Sequence, residues 1–232
     1  MAHEAAPKKQ AHWDFSFFTR VRGELFNHLA LGANDERFPI YPVRMVKEIR
    51  EAMPEDGIVC LDNGMYKLWF ARYYLCNQPN TLLLDNALAT MGAGLSSAMA
   101  AKMVFPMRKV VAVSGDGGFM MNSQELEKAV RLNLNITQIV LRDNAYGMIK
   151  WKQANMNFPN YGVDMGNPDF VKYAESYGAR GWRPNSAKEF REMLEKSLEM
   201  PGVDLIEQAI DYSENDRVLN KEIRELSAKV NP

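Results

Sequence analysis

The sequence predicts an α/β fold, a three-layer sandwich with a mostly parallel central sheet. Two observations lead there. Short apolar, β-branched runs alternate with stretches of helical period from Pro42 onward, the pattern of a sheet with helices on both faces. The clearest run, Lys109 to Ser114, is also continuously apolar and β-branched, as a central parallel strand buried on both faces is.

Taken in order, Met1 to Gln10 is polar and mixed in charge and reads as a tail or linker remnant. Residues 11–40 carry Trp13, Phe15, Phe17, Phe18 and Phe26 without a clean period, which predicts an irregular arm packed on the main domain or on a partner. Val43, Val46, Ile49 and Met53 fall at helical spacing behind Pro42, whose missing N–H costs little near a helix start. Gly57 to Asp62 reads as a short buried strand, Met65 to about Leu75 as a helix and Thr81 to Leu84 as another apolar run. Thr90 to Val104 is small and apolar nearly all round, a helix able to approach a sheet or ligand closely. Lys109 to Ser114 is the clearest strand. Asn122-Ser-Gln-Glu125 has capping-box spacing for a helix running to about Leu132. Ile136 to Leu141 is the next strand, followed by helix 169–177, strand 179–182, helix 186–199 and strand 203–210. A charged helix is expected from Asn215 to Lys229. The expected organisation is an arm over 1–35, one domain over 36–215 and a helical tail over 216–232.

Bulk properties narrow the function. At 232 residues, 47% hydrophobic and 25% charged, the chain can bury an ordinary core. A net charge of −1 gives no support to nucleic-acid or membrane-surface binding. Cys60 and Cys76 are too few for a Cys-rich metal site, and nothing marks them as a disulfide pair. No stretch of about 18 apolar residues predicts a spanning helix, and the N-terminus lacks an apolar secretory core, so a cytoplasmic location is expected. The fifteen methionines are scattered, as core gap-fillers are.

In parallel sheets ligands bind beyond the carboxyl ends of the strands. After strand 109–114 stands Ser114-Gly115-Asp116-Gly117-Gly118. Three glycines around one aspartate allow a tight turn, with a carboxylate for a hard cation and N–H groups for phosphate oxygens. After strand 136–141 stands Arg142-Asp143-Asn144-Ala145-Tyr146-Gly147, a second carboxylate with an amide and a loop carbonyl. Either piece alone is a common surface turn. Together they lie at the ends of neighbouring strands, and Asp116 and Asp143 are 27 positions apart.

Gly115-Asp116-Gly117 followed at that spacing by Asp143-Asn144 resembles the signature of thiamine-diphosphate enzymes. Phe38 to Val46, Leu61-Asp-Asn-Gly64, Leu68 to Tyr73, Ala89-Thr-Met-Gly92 and Tyr173 to Ala179 resemble the C-terminal domain of acetolactate synthase, most of all its catabolic, flavin-independent branch. The resemblance covers about residues 36 to 215. It implies the diphosphate-side fold of that family, with thiamine diphosphate and Mg²⁺ as cofactors. It places Asp116, Asp143 and the Ala145 carbonyl on the metal, and Gly115, Gly117 and Gly118 along the diphosphate. Asn63, Gly64, Met65, Tyr66 and Lys67 match a second diphosphate-side loop, with Lys67 where close relatives carry histidine. The Ala89 carbonyl accepts from the exocyclic amine of the aminopyrimidine, and Thr90 beside it is among the cofactor-binding residues. Met91 is the wedge between the two cofactor rings, and Tyr146, Gly147 and Met148 close over the thiazolium. The second metal ligand is Asp here, where the family often has Asn, which keeps an oxygen and adds a charge. Trp69 and Arg72 read as packing or interface residues, and His12 and His28 are given no chemistry.

The resemblance further implies condensation of two pyruvates to acetolactate with loss of CO₂, or, as the alternative, a subunit of another thiamine-dependent decarboxylase or carboligase acting on a related 2-oxo acid. In the family a glutamate on a pyrimidine-binding domain, usually from a neighbouring subunit, ionises the cofactor. No such domain is legible here, and Glu125 reads as a helix-capping residue, so no catalytic residue is expected in this chain. A homo-oligomer is expected, and the chain alone is expected to be inactive, whether it is an excised fragment, a subunit of a split enzyme or a standalone domain. The other reading is a non-catalytic interaction or nucleotide-binding domain. Asp62-Asn63-Gly64 lacks the Gly-x-Gly-x-x-Gly of a dinucleotide site, and no phosphate-loop motif occurs.

Overall fold

A computed structural model describes residues 14–225. The tail Met1 to Gln10, His12, Trp13 and the last four positions of the expected 215–229 helix lie outside the described residues. The chain divides into two compact units at the Asn34–Asp35 boundary.

The first unit holds helix α1 (Ser16–Leu29) where an irregular arm was expected. The Asp14 carboxylate accepts the Ser16 amide at 2.8 Å at its start. None of its residues is buried, and a helix with no buried face has no apolar stripe for periodicity to reveal.

The second unit begins with α2 (Pro42–Ala52), which buries Val43, Val46 and Ile49 as their spacing requires. There follow β1 (Ile58–Leu61), α3 (Tyr66–Tyr73), β2 (Leu82–Leu83) and α4 (Ala93–Val104). Then come β3 (Val110–Gly115), α5 (Asp116–Phe119), α6 (Glu125–Arg131), β4 (Ile136–Arg142) and α7 (Gly147–Asn155). The order ends with α8 (Phe170–Ser176), β5 (Arg180–Trp182), α9 (Ala187–Glu199) and β6 (Val203–Ala209). The strands form one sheet in the order β2-β1-β3-β4-β6-β5. Every pairing is parallel.

Helices α4 and α8 pack on the sheet on one side, and α9, with α2 and α3 beside it, makes the other layer. The core follows the strand alternation. Ile58, Cys60, Val110 and Ala112 meet Leu95, Ala98, Met99, Leu126 and Phe170 from the helices. The small residues of α4 do what their size suggests. A Cβ on Gly94 would stand 2.9 Å from Asp62 Cβ and 2.8 Å from Ser114 Oγ, so only glycine lets the helix lie this close to β1 and β3. Trp69 is fully buried on α3, stacks on Tyr73 at 5.6 Å between centroids, and donates through Nε1 to Asn215 Oδ1 at 2.9 Å.

Three local expectations change. The helix expected from Thr90 starts at Ala93, because Gly92 is left-handed at φ +89°. The capping box at Asn122 and Glu125 does not form. The Asn122 amide instead donates to the Gly92 carbonyl at 2.9 Å, and Glu125 pairs with Lys128. Helix α7 follows directly on the Asp143 loop, where only a closing segment was expected. At the C-terminus the expected helix is present over 215–225 with a π turn at Arg217–Lys221. Arg72 fastens it to α3 by donating to Glu222 at 2.6 Å.

Candidate functional site

The chain reverses direction across the sheet between β1 and β3. From β1 it steps outward to β2, and from β3 inward to β4. Such a switch point opens a crevice at the carboxyl ends of the two strands. The register aligns Leu61 with Val113 and Val113 with Ile139, so the loops that follow β1, β3 and β4 emerge side by side. Between them lies a cavity of about 210 Å³.

Most of the sequence-derived site residues meet here. Asn63, Gly64, Met65 and Tyr66 line the cavity from the β1 side, Met91 from the turn before α4, and Gly115 to Gly118 from the β3 loop. Asp143 and Ala145 to Met148 line it from the β4 loop. Lys67, Ala89 and Thr90 do not reach the wall. Lys67 Nζ donates to the Asp85 carbonyl at 2.6 Å, and the Ala89 carbonyl accepts from Asn63 Nδ2 at 3.2 Å. The side chain that faces the cradle in this loop is Tyr66 rather than Lys67.

The glycines are there because neighbours fill the space a side chain would need. A Cβ on Gly117 would lie 2.7 Å from the Tyr146 ring, one on Gly118 2.8 Å from Asp62 Oδ2, and one on Gly147 2.5 Å from Asp143 Oδ2. Asp62 itself is buried and ties the β1 end to the Met91 turn, accepting the Gly92 amide at 2.8 Å. Its carboxyl is pushed up by burial, against which the hydrogen bonds from Asn63 and Gly92 act.

Asp116 is buried and held by three donors. Oδ1 accepts the Gly117 amide at 2.9 Å, and Oδ2 accepts the Asn144 amide at 2.8 Å and Asn167 Nδ2 at 2.7 Å. Asp143 is half-buried, and its carboxyl is pushed up to about 7, first by burial and then by the charge of Asp116. Two carboxylates sharing a desolvated site shift in this direction, here against the opposing pull of the Ala145 amide and the Lys150 charge. Among the described residues no cluster of three or more His, Cys, Asp or Glu side chains could hold a metal. Any cation here would therefore take two carboxylates and complete its shell from the main chain and a ligand.

The main chain offers one such oxygen. Ala145 bridges antiparallel to Asp164, with Tyr146 N–H donating to the Val163 carbonyl at 2.8 Å and Met165 N–H to the Asn144 carbonyl at 3.0 Å. In that pattern the groups of Asn144 and Tyr146 face the 163–165 segment, and the N–H and C=O of Ala145 itself turn to the opposite side. Tyr66 also lines the cavity, and its buried hydroxyl has no hydrogen-bond partner among the described residues. A buried orphan donor beside a glycine turn fits a phosphate oxygen. The chemistry available is all-oxygen coordination of a hard divalent cation next to a phosphate cradle.

Three residues escaped the sequence reading. Asn167 reaches Asp116 from 51 positions away, a contact no local motif announces. Tyr212 and Ile149 line the cavity, and burial together with the nearby Asp143 holds the Tyr212 phenol well above its ordinary range. Tyr212 was reachable by the strand-end rule, because it follows β6, the strand paired with β4.

Residues 62–208 match the family model described as "Thiamine pyrophosphate enzyme, C-terminal TPP binding domain". The chain is 40% identical over 175 residues to the acetolactate synthase of Bacillus subtilis (strain 168), covering 75% of this chain and 31% of that protein. It is 35% identical over 190 residues to the catabolic acetolactate synthase of Raoultella terrigena, covering 82% of this chain and 34% of that one. The thiamine diphosphate-dependent 4-hydroxybenzoylformate decarboxylase of Rhodococcus jostii RHA1 superposes with a TM-score of 0.70 at 24% identity, over 75% of this chain and 33% of its own, which is a likeness of fold. The chain spans about a third of the length of the curated relatives it matches.

Proposed function

The chain belongs to the thiamine pyrophosphate enzymes, as the C-terminal cofactor-binding domain of their acetolactate synthase-like members, and from that premise we propose that it holds the cofactor's diphosphate through Mg²⁺ bound to Asp116, Asp143 and the Ala145 carbonyl. One observation carries the proposal: Asp116 and Asp143, from different loops, line one cavity beside a glycine cradle, together with Ala145, whose carbonyl turns away from its own bridge partner. Mg²⁺ suits oxygen ligands and habitually shares its shell with phosphates, and its charge relieves the pressure that raises Asp143. Gly117, Gly118 and the Tyr66 hydroxyl would meet the diphosphate, and Met91 would support the rings.

Thiamine diphosphate, when bound, supplies a carbon nucleophile for addition to 2-oxo acids, and the protein's part is to hold, orient and shield it. We assign the larger assembly a transferase activity, joining two pyruvates into acetolactate with release of CO₂. The group that ionises the cofactor would come from a pyrimidine-binding domain on another segment or chain of a homo-oligomer, so this chain alone would be inactive. The cytoplasm is the compartment we propose, in keeping with two unpaired cysteines. Among the described residues no helix is long and apolar enough to cross a membrane.

Mixing the purified chain with a separately produced pyrimidine-binding domain of an acetolactate synthase tests the assignment. Acetolactate should form from pyruvate only in the mixture, and robust formation by the chain alone would refute it. A finer test is Gly147→Ala. Its methyl would crowd Asp143 Oδ2, and the expected result is roughly 10-fold weaker Mg²⁺ binding, because Mg²⁺ tolerates little departure from octahedral geometry. Alanine also favours α7, so the melting temperature should not fall.

A further inference from the structure

The segment after α7 backs the β4 loop. Its residues 163–165 bridge to 144–146, and the pairing is fastened outside by Lys150 Nζ at 2.7 Å from Asp164 Oδ1 and Asn160 Nδ2 at 2.8 Å from Asp164 Oδ2. Two residues further on, Asn167 turns inward. Its Nδ2 stands 2.7 Å from Asp116 Oδ2 and 3.0 Å from Asn144 Oδ1, so a single amide spans the loops after β3 and β4. The orientation of this amide is fixed by chemistry. A carboxylate oxygen only accepts, so the NH₂ must face it. Asp169, just beyond, caps α8 by accepting the Val171 and Lys172 amides, which anchors the segment on the far side.

We propose that Asn167 is a positioning residue of the cation site: it fixes the plane of the Asp116 carboxylate and so makes the site fit Mg²⁺ rather than a larger cation. The proposal rests on the cofactor reading above. Of the three donors on Asp116, the amides of Gly117 and Asn144 come with the two motif loops, and Asn167 alone is supplied from elsewhere. Its removal leaves Oδ2 with one donor and lets the carboxylate rotate. Mg²⁺ requires near-ideal octahedral oxygens at about 2.0–2.1 Å, whereas Ca²⁺ accepts six to eight at about 2.3–2.6 Å in looser arrangements. Freedom at Asp116 therefore penalises Mg²⁺ more than Ca²⁺. The Asn167 Oδ1 is buried without a partner among the described residues, an acceptor suited to a water.

The test is calorimetric titration of the full chain with Mg²⁺ and, separately, with Ca²⁺, in the presence of excess thiamine diphosphate. Asn167→Leu keeps the volume and removes the donor, and Asn167→Ser is too short to span the gap. Both should weaken Mg²⁺ binding by about 10–100-fold, the range typical of outer-shell partners of metal ligands, with a much smaller loss for Ca²⁺. A purely structural role would weaken both cations equally, and that result, or unchanged affinity for both, overturns the proposal. Circular dichroism reports whether each variant folds, and the serine variant decides if the leucine one does not. If the wild-type chain shows no cation-dependent binding of thiamine diphosphate even with a pyrimidine-binding domain present, the cofactor reading itself fails, and the role of Asn167 falls with it.

Discussion

Asp116→Ala should abolish cation-dependent binding of thiamine diphosphate, with a loss of at least about 100-fold, equivalent to about 2.7 kcal/mol. The substitution removes a metal ligand and half of the local negative charge. It also strands the Gly117 and Asn144 amides and takes one of the two acceptors of Asn167 Nδ2. A buried donor without an acceptor costs about 1–3 kcal/mol, so some loss of stability is expected as well. The two effects separate by measurement. Urea denaturation without ligand reports the stranded donors, and titration of the folded variant reports the lost ligand. Asp116→Asn sharpens the contrast, because an amide keeps one acceptor oxygen while removing the charge. It should retain most of the stability and still bind the cation poorly.

Trp69→Ala should give the largest loss of stability, about 3–5 kcal/mol in urea denaturation, as large aromatic deletions from a core do. Trp69 has no exposed surface, stacks on Tyr73 and meets Tyr41 edge-on at 5.7 Å. Its consequence reaches the site. The indole holds buried Asn215, whose amide N–H in turn closes the turn onto the Tyr212 carbonyl at 3.1 Å. Trp69→Phe isolates that link. It preserves most of the apolar volume but leaves the Asn215 oxygen without its donor, at about 1–3 kcal/mol. Cofactor affinity should fall in the phenylalanine variant even where the chain remains folded, because Tyr212 then loses its fixed place in the cavity wall.

The sheet was legible because its central strands are buried along their length: β3 opens on the apolar run Val110 to Val113, while β4 and β6 carry shorter apolar runs, Ile139 to Leu141 and Leu205 to Ile206, among buried polar residues such as Gln138, Asp204 and Gln208. The two carboxylates were legible because motif and strand end coincide, so chemistry and topology pointed to the same residues. Lys67 stands off the cavity wall for a physical reason. On a helix a step of one residue rotates the side chain by about 100°, so Tyr66 turns into the cavity while its neighbour turns to the Asp85 carbonyl. Helix α7 escaped because its apolar residues form no stripe and none is buried. Asn167 escaped because its partner lies on another loop, a relation that only the folded chain displays.

The most direct measurement is calorimetry of the wild-type chain with thiamine diphosphate, with and without Mg²⁺, and with NAD and ATP as controls. The expected result is binding that requires Mg²⁺, disappears in Asp116→Ala and is absent for both nucleotides. Thiamine diphosphate binding that is indifferent to Mg²⁺ and to Asp116, or no binding even with a pyrimidine-binding domain present, would contradict the assignment of this cavity.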